Sequence, residues 1–253
     1  MIRFLPNLHP RSPMNVRPFL PMLGLLFAAT ALAQPSAEEI VRKSIAYHDP
    51  AGVWMTRTHH LTLIETRPGG KDRKTSLVLD YPTGGFSYRS EREGRVVEAA
   101  WDGAECSATL DGSADIPDDL RERYRLSCEG VQWWHAYYGY MHSLPMNLAD
   151  PGVRLDPDVR TTTFAGREAY AVRVTYDEPG SDTWYFYFDP ATYAIIGSRF
   201  YHDESANDGE YIVFEGEAAH DGIRLPKTLK WYVNADDRFL GADIIEAYTH
   251  AQP

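Results

Sequence analysis

From Val53 onward, large apolar and polar side chains alternate in short runs, and turn residues interrupt them about every ten positions, the signature of a β-meander. Strands are expected over Trp54–Thr66, Thr75–Tyr81, Phe86–Ser90, Arg95–Trp101 and Glu105–Leu110, with a hairpin turn at Asp102-Gly103. They resume over Thr161–Phe164, Glu168–Tyr176, Trp184–Phe188, Tyr193–Tyr201, Glu210–Glu215, Lys227–Val233 and Phe239–Tyr248. In the most aromatic hairpin, Trp184, Phe186 and Phe188 point to one face and Tyr185 and Tyr187 to the other, because strand side chains alternate. Asp189-Pro190 supplies its turn, and Ile195 and Ile196 face opposite ways on the return strand.

Two segments break this rhythm. Ser36-Ala37-Glu38-Glu39 is a capping box, and Ala37, Ile40, Val41, Ser44 and Ile45 follow at helical spacing until Asp49-Pro50 stops the helix. In the middle of the chain, Pro117-Asp118-Asp119 reads as a helical first turn, and Val131–His142 as a helix with aromatic residues nearly all round. Leu144–Gly152 is an irregular apolar connector. The expected architecture is mainly β (α+β). It is a single curved antiparallel sheet of about eleven strands, forming an unclosed barrel over the N-terminal helix and a helical insertion at about 115–150.

Residues 1–33 carry a separate pattern. Arg11 and Arg17 precede an apolar run from Phe19 to Thr30, and Ala31-Leu32-Ala33 closes it, which reads as a secretory signal peptide cut after Ala33. Met14 is an alternative start giving a more conventional leader. Residues 34–253 then form one exported domain without stable membrane insertion, in the periplasm or outside the cell. Losing Arg3, Arg11 and Arg17 and no acid takes the net charge from −11 to −14. So acidic a surface argues against nucleic acid as a partner. In an oxidising compartment Cys106 and Cys128 are expected to form a disulfide.

Catalytic signatures are missing from the sequence. It has no G-x-S-x-G elbow, H-E-x-x-H pair, Walker loop or dinucleotide fingerprint. His59 and His60 are adjacent on a strand and so face opposite ways, while His135 and His142 lie two helical turns apart; no metal site is expected. The Asp203–Glu210 loop has its glycine and its twelfth residue, Phe214, out of place for a calcium loop. The distinctive constellation is aromatic: Trp133, Trp134, Tyr137, Tyr138 and Met141 on the central helix. It reads either as the wall of an apolar pocket or as plain core.

Several segments together resemble a known superfamily. They are the helix opening with Ala37-Glu38-Glu39-Ile40, the long meander, the mid-chain insertion, the Phe188-Asp189-Pro190 turn and Gly222-Ile223-Arg224-Leu225-Pro226 before Trp231-Tyr232. In this order the chain resembles the LolA/LolB-like periplasmic lipoprotein carriers, and most closely exported relatives that share Tyr47-His48-Asp49-Pro50 and Leu144–Gly152. The resemblance implies a half-barrel whose apolar cavity binds a lipid or acyl-chain-like molecule without chemistry or cofactor, linked to outer-membrane lipid or lipoprotein handling. The expected ligand contacts are Trp133, Trp134, Tyr137, Tyr138, Met141, Trp184, Phe186 and Phe188, in a monomer. One alternative is a protein-interaction or envelope-sensor module with a filled core and a tyrosine-rich docking face. A hydrolase with an unidentified acid pair is a third reading.

Overall fold

Thirteen strands form one antiparallel sheet in the computed structural model, which describes residues 34–251. The leader read at residues 1–33 lies outside the described residues. The first run comprises β1 (Thr58–Thr66), β2 (Arg73–Asp80), β3 (Gly85–Arg92), β4 (Arg95–Trp101) and β5 (Cys106–Leu110). The second comprises β6 (Val153–Leu155), β7 (Arg160–Phe164), β8 (Arg167–Tyr176), β9 (Thr183–Phe188), β10 (Ile195–Tyr201), β11 (Glu210–His220), β12 (Ile223–Val233) and β13 (Phe239–Ala251).

Each run is a meander, and the two join where β1 pairs with β13 along its whole length. The free edges are therefore β5 at one end and β6 with β7 at the other. Among the described residues no ladder links these edges, so the sheet stays unclosed. The chain from β5 to β6 must travel from one edge to the other, and it does so with α2 (Asp118–Arg123) and α3 (Cys128–His142). The disulfide between Cys106 and Cys128, with Cα atoms 5.3 Å apart, ties the start of α3 to the start of β5.

Alternation fixes which residues face inward. Leu61 and Leu63 of β1, Leu77 and Leu79 of β2, and Phe86 and Tyr88 of β3 build one apolar cluster with Val131, Trp134 and Tyr138 of α3. A second cluster joins Val172 and Val174 of β8, Phe186 and Phe188 of β9, and Ile212 and Phe214 of β11 to Met141 of α3. Ala37, Ile40 and Val41 of α1 (Ala37–His48) complete it. Ile195 belongs to this inner cluster and Ile196 to an outer one, as the alternation requires.

On the outer face the Phe164 ring stacks on Tyr187, centroids 3.9 Å apart, over the backbone of Gly197. A Cβ at Gly197 would stand 2.2 Å from the Phe164 ring and 2.5 Å from the Ile212 carbonyl oxygen. Gly197→Ala is therefore expected to lower stability by about 1–3 kcal/mol through overpacking. A thermal melt unchanged from wild type would show that this contact yields without cost.

The structure corrects several local expectations. Trp54–Thr56 is a turn of 3-10 helix instead of strand. The Asp49 carboxylate accepts the Val53 and Trp54 N–H groups at 3.1 and 2.8 Å, curling the chain so that Trp54 stacks on His59 at 3.7 Å. The capping box is half formed: Ser36 Oγ accepts the Glu39 N–H at 3.2 Å, but the Glu39 carboxylate pairs with Lys43 at 2.7 Å. Strand β6 follows directly after the segment read as an irregular connector, where no strand was expected, and the sheet has thirteen strands instead of about eleven.

The His48-Asp49-Pro50 segment has a structural role. His48 Nδ1 lies 2.6 Å from the Arg224 carbonyl oxygen, and Nε2 accepts the Ile195 N–H at 3.1 Å. A carbonyl can only accept, so the proton sits on Nδ1. Burial pushes the His48 pKa down and keeps the ring neutral. The ring thereby pins the end of α1 to β10 and β12.

Candidate functional site

The central helix is set in place by two local devices. Ser127 Oγ accepts the Gly130 N–H at 3.1 Å, which caps the helix and starts it at Cys128, three residues earlier than the aromatic run suggests. Gly130 also lets the preceding turn approach, because a Cβ there would stand 2.4 Å from the Arg125 carbonyl oxygen.

Around α3 the expected ligand contacts separate into three environments. Trp134 and Tyr138 are buried in the first cluster, and Met141, Phe186 and Phe188 in the second. Tyr137 and Trp184 are half-buried; Tyr137 touches both clusters, and Trp184 packs 5.2 Å from the Tyr140 ring. Trp133 stands outside, 44% exposed, stacked on Tyr137 with the Arg125 guanidinium 4.4 Å over its ring. The interior thus gathers every one of these side chains except Trp133 about a single helix.

The helix is held unequally on its two sides. Toward the β1–β5 half it has the disulfide, a hydrogen bond from Tyr138 Oη to Glu65 at 3.1 Å, and a bond between Tyr81 Oη and Ser143 Oγ just past its end. Toward the β8–β12 half the contacts are apolar apart from one hydrogen bond, between the Tyr140 and Tyr176 hydroxyls at 2.6 Å.

Beneath Tyr138 lies a buried polar network that the sequence reading missed. Glu65, 1% exposed, takes Arg73 Nε at 2.6 Å, a second Arg73 nitrogen, and the Thr75 hydroxyl besides Tyr138. Asp243 sits directly opposite Glu65 in the β1–β13 register and accepts from Trp231 Nε1 at 2.9 Å and Arg67 at 3.1 Å. Burial alone would raise the Glu65 carboxyl; the Arg73 guanidinium and the two hydroxyls outweigh it and hold the group below the usual glutamate range. Burial, and then the Glu65 charge, raise Asp243. Glu65 is surrounded by donors, so it serves as an anchor for α3 and not as an exposed base. A signal was present in the sequence: Glu65 continues the inward alternation Leu61, Leu63, and a charge on an apolar face demands a partner. Among the described residues no group of three or more His, Cys, Asp or Glu is placed to hold a metal ion, and no helix is long and apolar enough to cross a membrane.

An unclosed antiparallel sheet with helices laid across its inner face defines the structural class. Within that class the chain belongs to DUF6503, a family of unknown function whose model matches residues 17–246. Among curated proteins nothing matches the chain. The chain is similar to the structure of a LolA superfamily protein from Nitrosomonas europaea, at TM-score 0.49 and 8% identity, covering 85% of this chain and 94% of that one. It is also similar to a DUF1329 family protein from Desulfovibrio piger, at TM-score 0.39 and 11% identity, covering 84% and 90% respectively.

Proposed function

We propose that this protein is an exported, non-catalytic binding protein that takes a hydrophobic, acyl-chain-like ligand between α3 and the β8–β12 half of the sheet. The unequal anchoring of α3 carries this reading. The helix is fixed covalently and by buried hydrogen bonds on one side, and meets Trp184, Phe186, Phe188 and Trp231 mainly through apolar contact on the other. Apolar surfaces can part and close on an apolar guest with little polar cost. The Cys106–Cys128 disulfide fits an oxidising, extracytoplasmic compartment.

The test pairs extraction with a fluorescent probe. Gently purified protein is extracted with organic solvent for mass spectrometry, and separately titrated with N-phenyl-1-naphthylamine. Trp184 is half-buried, so Trp184→Ala is expected to weaken probe binding about tenfold while leaving the fold intact. An empty extract together with no fluorescence enhancement would overturn the reading.

A second reading rests on the outer face. Tyr185, Tyr187, Tyr201 and Tyr211 cluster there, and Tyr211 stacks on Tyr232 at 4.9 Å with the Arg199 guanidinium 4.9 Å over the Tyr211 ring. A stable protein partner lost on Tyr211→Ser, with no lipid extracted, would favour a docking module.

A further inference from the structure

The Leu144–Gly152 segment contributes two polar side chains, the half-buried Asn147 and the exposed Asp150, to a hollow beside the core. Leu144, Met146 and Leu148 are buried, as an apolar connector requires. Asn147 and Asp150 instead line a cavity of about 260 Å³ at the C-terminal end of α3, with Met55, Tyr81, His135 and Tyr140 among the other walls.

The polar groups of this cavity suit a positive, hydrogen-donating guest. Asn147 Nδ2 donates to the Tyr140 carbonyl at 3.0 Å, which fixes the amide and leaves Oδ1, a buried acceptor, without a partner among the described residues. Asp150 is an exposed residue whose carboxylate makes no hydrogen bond or ion pair with the described residues; partial desolvation at the cavity wall raises its pKa. Among the described residues no lysine or arginine lines the cavity. The end of α3 adds the negative pole of its dipole. Tyr81 and Tyr140 add aromatic surface to the wall, and burial lowers the His135 pKa, so that ring adds no charge at neutral pH. Met55, 53% exposed, supplies a polarizable thioether at the wall.

We propose that this cavity is a binding site for an organic ammonium group, primary or quaternary. Asp150 supplies the countercharge, Asn147 Oδ1 the hydrogen-bond acceptor once the guest displaces the atoms that cover it, and Tyr81 and Tyr140 the aromatic walls. An anion would meet an acceptor, a carboxylate and a helix C-terminus, and is excluded. The assignment does not depend on the apolar slot beside Trp184, and each can fail without the other.

The probe is butylammonium chloride, titrated into the ¹⁵N-labelled protein and compared with butanol, which has the same tail and no charge. Butylammonium is expected to give saturable shifts at Tyr140, Asp150 and the Asn147 side-chain amide, while butanol requires about tenfold more to do so. Asp150→Asn should weaken butylammonium about tenfold and leave the melting temperature unchanged, since this carboxylate makes no contact that folding needs. Tetramethylammonium then separates the two kinds of ammonium: saturation assigns a quaternary head group, and its failure beside butylammonium binding assigns a primary one. Equal affinity for butanol and butylammonium, undiminished binding by Asp150→Asn, or no saturable shift with either cation would each overturn the proposal.

Discussion

Arg73→Met is expected to destabilise the protein by about 3–5 kcal/mol at neutral pH, because it leaves the Glu65 carboxylate buried without its cation. Urea unfolding measures the loss, and its pH dependence identifies the cause. In the wild type the Glu65 pKa is lowered, so its contribution is present above the unfolded value and disappears as pH falls through the lowered folded value. Without Arg73, burial dominates and the folded pKa rises above the unfolded one. The folded variant then binds its proton more tightly than the unfolded chain, and its stability rises as pH falls through that raised value. The deficit of Arg73→Met should therefore narrow on acidification toward about pH 5. Glu65→Gln in the Arg73→Met background should recover much of the loss, since Tyr138 keeps an acceptor and no charge is stranded. A deficit that stays constant with pH would show that the ion pair is not its source.

The second large effect concerns the tether of α3. Cys106→Ala with Cys128→Ala opens a loop spanning a sequence separation of 22 and should remove roughly 3 kcal/mol, most of it by freeing the unfolded chain. Native contacts of Trp134 and Tyr138 do not depend on the bridge, so the near-ultraviolet circular dichroism of the folded double variant should match the wild type. Denaturant midpoints under non-reducing conditions report the loss. If the midpoint holds, or the aromatic spectrum collapses, the bridge is redundant in the first case and a determinant of the native packing in the second.

These two experiments bear on different layers of the molecule, and the sequence spoke unequally about them. The cysteine pair was legible because the chain has only two and its leader reads as an export signal. The split of Trp184, Phe186 and Phe188 from Tyr185 and Tyr187 was legible because a period of two assigns faces without knowledge of the partner strands. Glu65 was half legible: its inward position follows from β1 alone, but its partners lie on β2, α3 and, across the ladder, β13. The exposed position of Trp133 was not legible. An aromatic helix has no single apolar stripe, so nothing in its pattern shows which ring faces solvent.

The sequence by itself determined a meander of alternating strands, the aromatic hairpin, a capped first helix and a helical interruption, since these depend on local periodicity and turn chemistry. Tertiary structure alone decided three things. Pairing of β1 with β13 leaves β5 and β6 as opposite edges, and this sends α3 across the inner face. It also places Asp243 opposite Glu65, residues far apart in the chain. Finally, it brings Asn147 and Asp150 beside Tyr81 and Tyr140 at one cavity. The physical reason is the same in each case. Alternation tells a strand which side faces inward, but not which distant strand or helix will meet it there.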